Sequence, residues 1–247
     1  MKGNLIEVFS GIQGEGPIVG YRQVFVRFGG CNLGCAYCDT LSGPAPAGTF
    51  RAEATPGLRD FMTFNNPVPS GDLLDLVRRL NPAIHHSVSL TGGEPLLQAE
   101  FIRSLAPGLK DLGLKVYLET NGSLPGELER VIDCVDLIGM DFKLPSITQG
   151  PPLIDEHTRF LTVAACREVF VKMVVGETTA DEEIGSACSV IAAVDRHIPV
   201  VLQPVTPYGK IPRSISPGRV LRLQEICLAQ LKDVRVIPQT HKMMGQL

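Results

Sequence analysis

Three cysteines fall close together in the stretch RFGGCNLGCAYCDT, residues 27–40, where Cys31, Cys35 and Cys38 are spaced C-x3-C-x2-C. Thiolates grouped this tightly hold metal. A structural zinc site takes four ligands, usually as two short pairs. A cubane iron–sulfur cluster is normally held by four thiolates. Here the local set is one short, and no histidine lies nearby. Three ligands leave one metal position open, and an open position is where a small molecule binds. The other cysteines, Cys134, Cys166, Cys188 and Cys227, are scattered singly. A disulfide framework would be denser and would belong to a smaller, secreted chain.

Further polar groups recur in short glycine-rich stretches. Asp39-Thr40 follows the last clustered cysteine; the Thr40 hydroxyl is a hard ligand suited to Mg2+, or bonds its own backbone. In TGGEP (91–95), Thr91 precedes two glycines, and Gly93 lets a ligand approach the backbone. Glu94 there could accept hydrogen bonds from an ammonium group. FSGIQGEGP (9–17) sets Gln13 and Glu15 among glycines. It is either a plain turn or an amide and a carboxylate matched to the edge of a flat heterocycle. Arg27 lies within an apolar run, sharing a face with Phe25 and opposing Val24, Val26 and Phe28. An arginine there meets either an anion, bidentately, or a structural acid. His241, in QTHK (239–242), is unremarkable when read alone.

Six apolar runs are expected to be the strands that carry these groups: 23–28, 87–90, 115–119, 136–142, 168–175 and 200–205. Between them lie helical patterns. One covers 71–80 after a Ser70 cap; one covers 98–112, with Pro107 interrupting or ending it. A third, at 125–133, opens on proline. A fourth runs to about Asp195 from a Thr179/Glu182 capping box. The last covers 217–232. Strands alternating with helices imply a parallel sheet. Six units fall short of a closed eight-stranded barrel. The expected fold class is therefore α/β, an open partial βα barrel in a single domain over 1–247. Residues 41–70, rich in proline and glycine, form an irregular insertion. Ligands sit beyond the C-terminal strand ends in such sheets, and the cysteine loop, TGGEP, TNG (120–122), DFK (141–143) and QPVTP (203–207) all lie there.

Bulk properties narrow the partners. The net charge of −3 and the lack of a basic run argue against a nucleic-acid partner. No run is apolar enough to span a bilayer, and the N-terminus lacks the apolar core of a signal peptide. A cytoplasmic protein with no membrane partner is expected.

The cysteine spacing, Tyr37 just before the last cysteine, and the downstream GGEP resemble the radical S-adenosylmethionine (SAM) enzymes. The full ordered set, SGIQGEGP, VFVRFGGCNLGCAYCDT, LTGGEPLLQ, ETNGS, MDFKLPS, LQPVTP and PQTHK, resembles one family among them, the 7-carboxy-7-deazaguanine synthases of 7-deazapurine (queuosine) biosynthesis. That resemblance implies a lyase carrying a [4Fe–4S] cluster on Cys31, Cys35 and Cys38, with SAM bound at the open iron. It implies SAM contacts at Tyr37, Gly93, Glu94, Lys143 and Gln203. Lys143 departs from the Ser-Pro-Lys pattern of some relatives; only its lysine aligns. The pterin substrate, 6-carboxy-5,6,7,8-tetrahydropterin, would be surrounded by Ile12, Gln13, Gly14, Glu15, Arg27, Thr91 and His241. Hydrogen abstraction and ring contraction would give 7-carboxy-7-deazaguanine and ammonia. Mg2+ at Thr40, an electron donor such as flavodoxin or ferredoxin, and a homodimer are implied likewise; segment 232–238 is a candidate surface strand for it. Two other readings stand beside this one: an activase that makes a glycyl radical on a partner protein, and a non-catalytic iron–sulfur or zinc protein.

Overall fold

The computed structural model describes residues 1–38, 48–207 and 210–246. In chain order its strands are β1 (Lys2–Gly3), β2 (Leu5–Ile12), β3 (Arg22–Phe28), β4 (Thr49–Glu53), β5 (Phe61–Asn65), β6 (Val68–Pro69), β7 (Ser87–Gly92), β8 (Lys115–Thr120), β9 (Leu137–Asp141), β10 (Glu168–Val175), β11 (Val200–Pro204) and β12 (Val234–Val236). The helices are α1 (Ser70–Arg79), α2 (Ala99–Asp111), α3 (Pro125–Val131), α4 (Pro145–Thr148), α5 (Ile154–Ala164), α6 (Asp181–Asp195), α7 (Pro217–Leu228) and α8 (Thr240–Met243). Ten strands form one sheet in the order β12-β11-β10-β9-β8-β7-β3-β2-β4-β5. From β3 to β12 every neighbouring pair is parallel. The ends β12 and β5 do not meet, so the barrel is open.

The parallel strands are buried on both faces, as β10 shows: Val169, Phe170, Val171, Met173, Val174 and Val175 are all within the core. Outside the sheet the helices each contribute an apolar stripe. In α2 the stripe is Phe101, Ile102, Leu105, Ala106 and Leu109. Burying each of the larger side chains is worth about 1.5–3 kcal/mol. That stripe explains why α2 runs through Pro107 to Asp111, contrary to expectation. Pro107 lies on the solvent side, and the buried stripe offsets its cost of about 3 kcal/mol.

Other local expectations are corrected. β2 lies where a loop was read as far as Phe9–Ile12; Glu7, Ser10 and Gly11 mask its apolar alternation. It pairs antiparallel with β3. The expected irregular insertion at 41–70, of which 41–47 lie outside the described residues, contains the β4–β5 hairpin, which extends the sheet by two strands and stacks Phe50 on Phe64 at 5.5 Å. Ser70 is inside α1 rather than capping it, and its hydroxyl meets Ser104. Thr179 does not cap α6; its hydroxyl accepts from Gly176 N. The last long helix stops at Leu228, and 232–238 holds the short edge strand β12.

Gly139 sits in β9 where a Cβ would lie 2.5 Å from the Tyr117 hydroxyl and 2.8 Å from Phe170. Gly185, inside α6, would meet nothing within 4 Å. Gly139→Val is expected to lower the unfolding free energy by about 1–3 kcal/mol through overpacking. Gly185→Ala should raise it by about 0.5–1 kcal/mol. Urea denaturation of both variants measures the contrast.

Candidate functional site

Sheet register builds one wall of the site. Arg51 on β4 pairs with Glu7 on β2, Glu7 with Arg27 on β3, and Arg27 with Thr91 on β7. Side chains in one row across a sheet share a face. Glu7 is buried between the two arginines: Arg27 Nε donates to Oε1 at 2.8 Å, and Arg51 donates to Oε2 through Nε and NH2 at 2.9 and 2.6 Å. Two guanidiniums on one carboxylate leave this wall one positive charge in excess. The terminal nitrogens of Arg27 bond to none of the described residues and face a cavity of about 830 Å3.

The opposite wall is made by β9 and β10, where Lys172 pairs in register with Asp141. Lys143 reaches Asp141 Oδ2 at 2.9 Å, and Lys172 lies 3.4 Å from the same oxygen. Lys172 also forms an ion pair with Glu15. Burial acts to raise the Glu15 carboxyl, but the charge and hydrogen bond of Lys172, helped by Gln239, bring it to about 2. Glu15 is therefore a fixed anion. Glu119 between the walls behaves differently: burial, then the charge of Glu15, pushes its carboxyl up. It accepts from Ser89 at 2.6 Å, Gln13 at 3.0 Å and Thr91 at 3.3 Å.

The C-terminal segment lies across the 13–16 loop. Thr240 N donates to Gly14 O at 2.9 Å, and Gln239 donates to Glu15 Oε1 at 2.7 Å. A Cβ on Gly14 would lie 2.4 Å from His241 Nδ1. That close approach puts His241 over the loop and on the cavity lining.

The cysteine loop closes the other end. Cys31, Cys35 and Cys38 all line the cavity, the first two half-buried and the third exposed. Burial raises the Cys31 and Cys35 thiols, and each of the two is also affected by the charges of the neighbouring thiols. The turn after β7 is stitched to this loop: Gly93 N donates to Phe28 O, and Glu94 N to Gly30 O at 2.8 Å. Gly92 has φ +121° and Gly93 would place a Cβ 1.9 Å from Gly30 O. Both glycines thus bring the turn against the chain itself, and both also stay on the cavity lining. Glu94 is fully buried and is not part of the cavity lining. Its carboxylate accepts from Leu96 N, Thr120 Oγ1 and Asn121 N at 2.8–3.0 Å.

Among known proteins, the Radical SAM superfamily model matches residues 25–159. A 7-carboxy-7-deazaguanine synthase of Geobacter sulfurreducens is 50% identical over 246 residues, covering 98% of this chain and 97% of that protein. One from Methanothermobacter thermautotrophicus is 34% identical, covering 99% and 98%. This chain belongs to the 7-carboxy-7-deazaguanine synthase family. The crystal structure of QueE from Escherichia coli has the same fold, with a TM-score of 0.63 at 21% identity, covering 98% of this chain and 95% of that one. Membership in the synthase family disfavours the activase, and the radical SAM match disfavours a non-catalytic protein.

The residues present fit the family's cofactors. Among the described residues no three His, Cys, Asp or Glu converge to hold a single metal ion. Three thiols on the lining of one cavity are the donor set that an iron–sulfur cluster with one open iron takes. Gln203 Oε1 is buried on the cavity wall with no hydrogen-bond partner among the described residues, an acceptor aimed at a donor such as SAM carries. Tyr37 and Lys143, joined at 3.0 Å, lie on the same lining.

Of the residues read from the sequence, Ile12, Gln13, Gly14, Glu15, Arg27, Thr91, Gly93, Tyr37, Lys143, Gln203, His241 and the three cysteines surround this one cavity. Glu94 does not, and Thr40 lies outside the described residues. The Gln13 amide is committed internally, to Gln23, Glu119 and the Glu15 backbone, so any contact there falls to its main chain. Lys172, Asp141, Glu119, Glu7 and Arg51 were missed by sequence reading. The signal available was a charged residue inside an apolar strand, the same signal that singled out Arg27.

Beneath the TNG turn, His157 is fully buried, its Nε2 3.1 Å from Asn121 O. Burial lowers this imidazole from 6.5 to about 4. The unfolded chain therefore binds a proton before the folded one does. His157 contributes stability in full above pH 6.5, and loses it as pH falls through about 4. The unfolding free energy is expected to decline over that window, and His157→Gln should flatten the decline; denaturant titrations at stepped pH check this.

Proposed function

We propose that the chain converts 6-carboxy-5,6,7,8-tetrahydropterin to 7-carboxy-7-deazaguanine and ammonia. The observation that carries this is one cavity lined both by three open-set cysteines and by Arg27, whose terminal nitrogens have no partner among the described residues. Full-length relatives named for that product support it. Cys31, Cys35 and Cys38 would hold the cluster; Tyr37, Gly93, Lys143 and Gln203 would border SAM. When bound, these cofactors supply a 5′-deoxyadenosyl radical that abstracts hydrogen from the substrate.

The chain's own residues bind and orient. A carboxylate at the Arg27 wall offsets the excess positive charge between Arg27, Glu7 and Arg51. Burying it unpaired would be costly. Glu15, held ionised by Lys172, accepts hydrogen bonds from an amine-bearing heterocycle edge. Glu119, with a raised pKa, is the half-buried group best suited to share a proton with the ring. His241 covers the loop beside Gly14. Mg2+ at Thr40, a flavodoxin- or ferredoxin-type donor and a homodimer belong to this reading through the resemblance of the motifs. No helix among the described residues is long and apolar enough to cross a membrane, and a cytoplasmic site of action is part of the same proposal.

Anaerobic reconstitution followed by incubation with SAM, reductant, Mg2+ and the carboxytetrahydropterin should yield a deazaguanine chromophore. A reconstituted chain that cleaves SAM yet leaves this pterin unchanged would overturn the substrate assignment. Arg27→Ala is expected to lose turnover while still taking up about four irons and four sulfides per chain. Wild-type kcat/KM in that variant would remove Arg27 as the carboxylate anchor.

A further inference from the structure

The turn after β8 contains a side chain held more tightly than any turn requires. Asn121 is buried, and each of its polar groups has an assigned partner. Its N–H donates to Glu94 Oε2 at 2.8 Å, and its C=O lies 3.1 Å from His157 Nε2. Its side-chain oxygen accepts from Ser123 N at 3.0 Å and from Ser123 Oγ at 2.5 Å. These contacts fix which end of the amide carries the nitrogen, because Ser123 N can only donate. The NH2 end is thereby turned toward the cysteine loop, where Nδ2 lies 2.9 Å from Asn32 Oδ1 and 4.0 Å from Cys31 Sγ. An NH2 group has two hydrogens, so both contacts can be met together. Leu33 N approaches the same sulfur at 3.4 Å.

Asn121 is thus anchored at three of its polar atoms so that the fourth, Nδ2, can meet one sulfur. Two of the anchors, Glu94 and His157, are buried groups off the cavity lining. We infer that Asn121 is a positioning residue that donates a hydrogen bond to Cys31 Sγ and so raises the reduction potential of the cluster held there. Hydrogen bonds to cluster sulfurs stabilise the more negative, reduced state and are one of the protein's means of setting the potential. The inference rests on the family's cluster being held by Cys31, and does not depend on the identity of the substrate.

The test is the midpoint potential of the reconstituted cluster, followed by EPR during redox titration, in the parent, Asn121→Ser, Asn121→Leu and Ser123→Ala. Asn121→Leu removes the donor, Asn121→Ser replaces the amide by a hydroxyl too short to reach the sulfur, and neither adds charge. Ser123→Ala removes a partner of the amide oxygen and keeps the donor. The expected result is a shift to more negative potential in the Asn121 variants, with Ser123→Ala unchanged. Parent potentials in Asn121 variants carrying a full cluster would overturn the inference, as would failure of both to bind iron, which would make the role structural. If the parent itself forms no iron–sulfur cluster, the family-based reading of the cysteines fails instead.

Discussion

Desolvated charge is the constraint to which the interior of this barrel answers. Glu15, Lys172, Asp141 and Lys143 lie side by side on the inner face of β9, β10 and the loops above them. A single such ion withdrawn from water costs several kcal/mol even after relaxation. The arrangement is tolerable only because acid and base alternate: Glu15 to Lys172, Lys172 to Asp141, Asp141 to Lys143. The pairing also settles protonation. Lys172 and Lys143 are pushed up by the acids against the opposing effect of burial, and Glu15 is brought down. The ligand end of the cavity therefore has a fixed pattern of charge before any ligand arrives, which is what electrostatic preorganisation requires.

Across the cavity the same principle is left incomplete. Glu7 answers Arg27 and Arg51 together, so one positive charge has no counterpart among the three. An anion is thereby favoured there and nowhere on the β9–β10 wall. The difference between the balanced and unbalanced walls gives the cavity a direction. One side anchors a carboxylate, the other presents acceptors to an amine-bearing edge, and the thiols mark the end where chemistry begins.

Much of this was legible in the sequence because parallel strands buried on both faces read as unbroken apolar runs, and rim loops read as glycine-rich interruptions. The six runs found that way are all strands, and the motifs following them meet at one cavity. What escaped was whatever depended on register. Glu7 and Arg51 gain meaning only when β2 is seen to lie between β3 and β4. Lys172 reads as a flaw in EVFVKMVV until Asp141 is placed beside it. β2 itself was hidden by the polar residues that make it useful. The hairpin was hidden because consecutive residues of β5, Met62 and Thr63, are both exposed, which breaks the alternation by which a strand is read.

Glu94 and the two glycines before it show how a motif can serve the chain that presents it as well as the site it marks. Their position, one βα unit after the cysteines, marks the site, and the backbone freedom of glycine was expected to admit a ligand. The structure uses that freedom to bring the turn against Phe28 and Gly30, within the space a Cβ would occupy. Glu94 then points inward and ties the β7 turn to Thr120 and Asn121 on the β8 turn. A carboxylate able to accept at both oxygens is suited to joining two loops at once, and a neutral side chain of similar size would leave buried N–H groups without partners. The segment thus reaches the chemistry indirectly. It sets the height of the cysteine loop on one side and the aim of Asn121 on the other, and the cavity lining inherits both.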